Sequence, residues 1–152
     1  MPKVVISDAS CLILLHKINA LELLHKVYGT VITTPEIAKE FMLELPNWLL
    51  IEKVIDIKYQ KLLETQIDLG EASAIALATE KGDCLLLLDD LKARKLASKL
   101  HLKFTGTFGV INKAKKNGEI KKVKPFIEKI IKTNFRISQN IIDEILRLNN
   151  EK

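Results

Sequence analysis

The sequence predicts an α/β fold, a single domain in which a central parallel sheet of about four to five strands carries helices on both faces. Three observations lead to it. Short apolar runs alternate with segments of helical spacing along the first two thirds of the chain. Those runs, such as VVIS and CLLLL, are continuous rather than alternating in polarity, as strands covered on both faces are. The 152 residues fit one domain, which at this length buries about 70% of the surface its unfolded chain exposes.

KVVIS, residues 3–7, is β-branched and apolar and reads as the first strand, with Asp8 at its end. A helix is expected from Ser10, whose hydroxyl suits the cap of CLILLHKI; ALELLHKVY continues the helical spacing until Gly29 closes it. TVITT is the second strand. Thr34 and Pro35, a cap followed by proline in the first turn, start a helix through EIAKEFMLEL that Pro46 stops. WLLIEKV supplies a third strand and IKYQKLLETQI a helix, after which Gly70 reads as a break. EASAIALATEK holds Ala72, Ile75, Ala76 and Thr79 in helical register, and Gly82 ends it before the strand CLLLL. LKARKLASKLH is a helix, LKFT a strand, and another helix runs from about Thr107 to Asn117, where Gly118 ends it. The single domain spans 1–152, with a core over 3–120 and a helical tail over 125–150.

Charge is segregated. The net charge is +5, and between Lys92 and Arg136 fourteen Lys and Arg face only Glu119 and Glu128, whereas the chain before residue 91 is acidic on balance. Such a distribution suits a polyanionic partner, nucleic acid first. Apolar stretches fall far below the ~20 residues of a membrane span, and MPKVVISD lacks the apolar core of a signal peptide, so the expectation is a soluble cytoplasmic protein without a membrane role. Cys11 and Cys84 lie in apolar segments without ligand spacing and read as buried free thiols. His16, His25 and His101 show no metal-like spacing either.

In open α/β sheets, function collects outside the carboxyl ends of the strands. Asp8 ends the first strand, Asp89 and Asp90 follow the leucine run, and Glu71 opens the helix leading into that run. Glu40 sits one and a half turns into the helix from Pro35. Crowded carboxylates cannot all stay ionised cheaply unless a cation joins them, and Mg²⁺ or Mn²⁺ takes hard oxygen ligands of this kind. An acidic metal cluster beside a basic surface is the electrostatic plan of a metal-dependent nuclease. Each acid also has a structural reading: Asp89 or Asp90 as a helix cap, Glu71 as an acid in a first helical turn, Glu40 as a surface residue.

The stretches VISDASCLILLHKI, TTPEIAKEF, LGEASAIALATEKGDCLLLLDDLKARKLASKL and LKFTGTFGVINKAKKNGEI resemble the PIN domain, the Rossmann-like fold of VapC-type ribonuclease toxins, and in particular its DUF3368 branch. The resemblance covers most of residues 4 to 120. It implies an Mg²⁺ or Mn²⁺ site formed by Asp8, Glu40, Glu71 and the Asp89 and Asp90 pair. The third acid is glutamate here where many PIN domains carry aspartate. The Thr-x-Asp pattern of typical toxins, laid over LDD, puts Leu88 in the threonine place and favours Asp90 as ligand, with Asp89 left open.

The expected activity is hydrolysis of RNA phosphodiesters, with Asp8, Glu71 and Asp90 as main ligands and Glu40 direct or through water. Arg94 is placed to reach a phosphate or to pair with a site carboxylate; Ser10 matches a small hydroxyl beside the first aspartate and serves equally as a cap. Thr105 and Thr107 around Gly106 form a turn suited to anions or to capping. Lys113, Lys115, Lys116, Lys121, Lys122 and Lys124 are candidates for sequence-independent attraction of the phosphate backbone. The resemblance further implies a toxin-like role, a small antitoxin partner and a homodimer. The alternatives are a non-catalytic PIN-fold module that binds nucleic acid or a partner, and an aspartate-based phosphotransfer domain; the latter fits poorly, because the acidic pair comes late and Ser10 stands two positions after Asp8.

Overall fold

The computed structural model describes residues 4–152, so Lys3, expected to begin the first strand and the core, lies outside the described residues. The first strand, β1 (Val4–Ser7), gives way at once to helix α1 (Ala9–Lys17). The cap between them is Asp8 rather than Ser10: Asp8 has extended backbone, and its Oδ1 accepts from the Cys11 amide at 2.8 Å. Ser10 is left exposed in the first turn. A second correction follows at residue 19. The expected single helix is two, α1 and α2 (Glu22–Tyr28), because Asn19 turns left-handed at φ 57° and its amide folds back on the His16 carbonyl.

Strand β2 (Val31–Thr33) leads into α3 (Pro35–Phe41), capped by Thr34 as expected, but Met42 adopts the left-handed conformation and ends the helix well before Pro46. Of WLLIEKV only β3 (Leu49–Ile51) pairs, as an edge strand beside β2. Helix α4 (Ile57–Leu63) precedes α5 (Leu69–Lys81), and Gly70 is not a break: it lies in the first turn of α5, behind Asp68 at the cap position. Strand β4 (Cys84–Leu87), helix α6 (Leu91–Lys99), strand β5 (Lys103–Thr105) and helix α7 (Thr107–Lys116) follow, then α8 (Lys124–Ile131) and α9 (Gln139–Leu148) in the tail.

The five strands form one all-parallel sheet in the order β3-β2-β1-β4-β5. Parallel neighbours need helical crossovers, and these are right-handed almost without exception. Among the helices, α1 packs against α3 and α7, α2 against α7, and α3, α4 and α6 against α5. The central strands β1 and β4 are buried apart from the half-buried Val4 and Leu85, with Ile6, Leu86 and Leu87 at 0% exposure. The tail buries Ile142 and Ile145 against the core and is tied to it by a half-buried ion pair, Lys115 Nζ to Glu151 Oε2 at 2.7 Å, while Glu151 also accepts from the Val123 and Lys124 amides. Leu86→Ala, in β4 beside the middle strand of the sheet, should cost about 2–5 kcal/mol of unfolding free energy in urea denaturation; a loss under about 1 kcal/mol would contradict this packing.

Candidate functional site

In this strand order the chain moves from β1 to one side and returns beyond it at β4, so the crevice outside the carboxyl ends of β1 and β4 is the topological switch point. Asp8 stands there. Its amide donates to the Leu87 carbonyl at 3.0 Å, its Oδ1 caps α1, and its Oδ2 accepts from the Asp89 amide at 3.2 Å. The carboxylate is 1% exposed, and burial, with the charges of Asp89 and Glu71 adding, pushes its pKa from an ordinary 3.8 up to about 8.

Glu71 is the hub of the acidic group. It lies in the first turn of α5, 9% exposed, and its pKa is pushed up to about 6 by burial and by the charges of Asp68, Asp90 and Glu40. Gly70 explains how Glu40 comes close: a Cβ there would stand 3.3 Å from Glu40 Oε2, so the missing side chain lets a carboxylate from α3 lie against the start of α5. Burial and the charge of Asp68 raise the Glu40 pKa as well. The two helices are joined beneath the acids by a chain of hydroxyls. Thr34 Oγ1 accepts from the Ile37 amide and donates to Ser73 Oγ at 2.7 Å, and Ser73 donates to the Gly70 carbonyl at 2.7 Å.

Asp68 was not singled out in the sequence. It holds the cap position of α5 with extended backbone, yet its side chain makes no capping hydrogen bond, and its carboxylate acts on Glu71 and Glu40 instead. The available signal was an aspartate three residues before a glutamate at a helix start, which reads first as a cap. Asp68, Glu71 and Asp90 line a cleft of about 430 Å³, with Lys92 on its rim and the turn at residues 64–67 opposite.

The adjacent aspartates take different work. Asp90 caps α6, its Oδ2 accepting from the Ala93 amide at 2.9 Å, and faces Glu71 across the cleft. Asp89 turns the other way: Oδ1 accepts from the Thr107 amide at 2.8 Å and Oδ2 from the Thr107 hydroxyl at 2.5 Å, so it holds the start of α7. Thr107 is 0% exposed and thereby committed to Asp89 rather than to a ligand. Thr105 is half-buried and its hydroxyl packs over Gly109. Arg94 forms no ion pair with a site carboxylate; its Nε donates to the Leu88 carbonyl at 2.6 Å and its guanidinium lies over the Phe104 ring. Arg94 and Asp89 both crowd Gly106, where a Cβ would stand 2.6 Å from Asp89 Oδ1.

The lysines singled out on α7 are elsewhere. A helix following a parallel strand runs back across the sheet, so Lys113, Lys115 and Lys116, at the far end of the ten-residue α7, stand about 10–15 Å along the axis from its start beside Asp89. Lys115 is moreover spent on Glu151 and the Asn149 carbonyl. The basic residues that do border the acids are Lys92 and, on the Asp89 side, Arg94 and Arg136, which line a second cleft of about 460 Å³.

The donor set consists of carboxylate oxygens at the carboxyl edge, and among the described residues no Lys, Arg or His ion-pairs with Asp8, Glu40, Asp68, Glu71, Asp89 or Asp90. That chemistry fits a hard divalent cation. As the side chains stand, no three His, Cys, Asp or Glu among the described residues enclose a position for an ion. Without a cation the buried charge must be relieved by protons. The native state retains a proton on Asp8 up to pH about 8 that the unfolded chain releases near 3.8, so Asp8 favours folding less and less as pH rises between those values. In chelator, the unfolding free energy of the wild type should therefore fall from pH 4 to 8 relative to Asp8→Asn, by urea denaturation at each pH; parallel curves would mean that Asp8 is not raised.

No curated protein and no solved structure matches the chain. The family model DUF3368, described as a PIN domain, matches residues 4–151, nearly the whole chain. PIN domains are generally nucleases and typically use divalent metals, in keeping with a five-stranded parallel sheet whose acidic residues gather at the carboxyl edge. By that match over its full folded length, the chain belongs to the PIN-domain family, in its DUF3368 branch.

Proposed function

We propose that the protein is a metal-dependent endoribonuclease. The observation that supports this most is the gathering of Asp8, Glu71 and Asp90, with Asp68 and Glu40 beside them, at one sheet edge without an ion-paired Lys or Arg. A bound Mg²⁺ or Mn²⁺ would neutralise charge on the scissile phosphate and ready a water for attack. Asp8, Glu71 and Asp90 would hold it, with Glu40 and Asp68 placed to reach it directly or through water. Two backbone amides fix the Asp8 carboxylate, so it keeps its orientation as ligands come and go. Asp90 is fixed through Oδ2 alone, which leaves Oδ1 for the cleft. Asp89 positions the β5–α7 turn and adds its negative charge beside Asp8.

The family's VapC-type toxins suggest the biological setting: a toxin restrained by a small antitoxin and acting as a homodimer. The exposed apolar side chains of Met42, Leu43, Leu50, Ile51 and Ile55 support a protein-binding surface in this part of the chain. A non-catalytic RNA-binding module is the second reading, favoured by the fact that the acids as they stand do not close around an ion.

The deciding measurement is RNA cleavage with Mn²⁺ or Mg²⁺. Asp8→Asn and Asp90→Asn should each lower the rate by about 100-fold or more, and chelator should abolish it; cleavage that survives both substitutions would sink the proposal. Wild-type RNA binding without cleavage would favour the module. Mn²⁺ should raise the wild-type Tm and leave that of Asp8→Asn nearly unmoved.

A further inference from the structure

The acidic cleft continues into a second groove. Thr65, Gln66, Ile67 and Lys92 line both the acidic cleft and a neighbouring groove of about 410 Å³, whose other wall is α6 with Lys95, Leu96 and Lys99. Lys92, Lys95 and Lys99 recur at i, i+3 and i+7, so they form one row along a single helix face. The row starts two residues after Asp90 and extends about 10 Å along the helix axis. All three side chains are exposed, and none has an acidic partner among the described residues. A row of unpaired cations leading out of a cluster of carboxylates is the complement of a polyanion that must enter that cluster.

We propose that the groove between the 64–67 turn and α6 is the track on which a single RNA strand lies, its backbone phosphates against Lys92, Lys95 and Lys99 and its scissile phosphate at Glu71 and Asp90. This rests on the ribonuclease reading above and names where that substrate runs. The groove, about 410 Å³ and bounded by a turn and a single helix face, is long enough to hold a short run of one strand along the lysine row. Its walls carry no aromatic ring on which a base could stack, so contacts go to phosphate and ribose and the track is indifferent to sequence. Gln66 is exposed with its amide uncommitted among the described residues, and stands where a ribose hydroxyl could be met by a donor and an acceptor together. The lysines of α7, at the far end of their helix and partly spent on the tail, take no part in the track.

The test is anisotropy of a short fluorescein-labelled single-stranded RNA in chelator, so that binding is read without turnover. Replacing Lys92, Lys95 and Lys99 together by alanine should weaken binding about tenfold or more. It should also reduce the slope of log Kd against log salt by about 2, since each single-strand phosphate contact contributes ~0.7. Replacing Lys17, Lys26 and Lys132 removes the same charge from exposed positions elsewhere and should leave the slope unchanged. Equal losses in both variants would show net charge rather than a track, and overturn the proposal. So would unaltered binding by the α6 variant, or a duplex that binds the wild type more tightly than the single strand. Cleavage by the wild type with Mn²⁺ separates the two readings. Loss of binding in the α6 variant with no wild-type cleavage keeps the track and removes the ribonuclease; cleavage undiminished in the α6 variant does the reverse. An unchanged Tm in the α6 variant establishes that a binding loss is local.

Discussion

A carboxylate buried at the end of the central strand is the constraint from which the rest of the site follows. Asp8 cannot reach bulk water, so its two oxygens must find donors in the fold, and they take the amides of Cys11 and Asp89. One of those bonds starts α1; the other spans β1 and β4 at the point where the sheet topology divides. The same aspartate thus closes the first strand, begins the first helix and ties together the two strands that frame the crevice. The cost is an acid held far from its ordinary pKa, with Asp89 and Glu71 making it worse. Burial of a charge without a partner is rarely tolerated for packing alone, because an apolar residue would serve better. A cation supplied from outside would remove the penalty.

Around Asp8, each supporting element contributes a feature whose purpose lies at the edge rather than in its own stability. Glycine in the first turn of α5 gives up helix propensity, about 1 kcal/mol against alanine, and the space it leaves is filled by the Glu40 carboxylate. Asp68 occupies a cap position without capping. Asp89 gives both oxygens to Thr107 and so fixes β5 and α7 relative to β4. Departures from local preference gathered at one end of a sheet mark that end as the part under functional constraint.

Much of this was legible in the sequence, and the failures have physical causes. Continuous apolar runs separated by helical spacing sufficed for the parallel sheet, because burial on both faces leaves no other pattern. Ser10 was misread as the cap because capping propensity ranks serine and aspartate alike, and only the abrupt end of β1 decides between them. Gly70 read as a break because a glycine's own propensity is visible in the sequence, whereas the carboxylate that needs its vacant space comes from another helix thirty residues earlier. Asp68 was hidden behind its cap position for the same reason. The lysines of α7 were credited with the site because charge is easily counted along a chain, while the direction in which a helix runs back over the sheet is a tertiary fact.

The direction of α7 bears on how the proposed site would deal with an anionic substrate. Carboxylates at the carboxyl edge repel phosphate, and the pull of a cation fades with distance at physiological salt. Attraction has to come from charges whose field overlaps the cleft itself. Helix α6 provides this by starting in the site: Asp90 caps its amino end, and the lysine row departs from that cap along the same axis. One helix therefore carries both a site acid and a row of cations without an acidic partner among the described residues. A strand lying along the row as proposed would reach Asp90 at the end of the row.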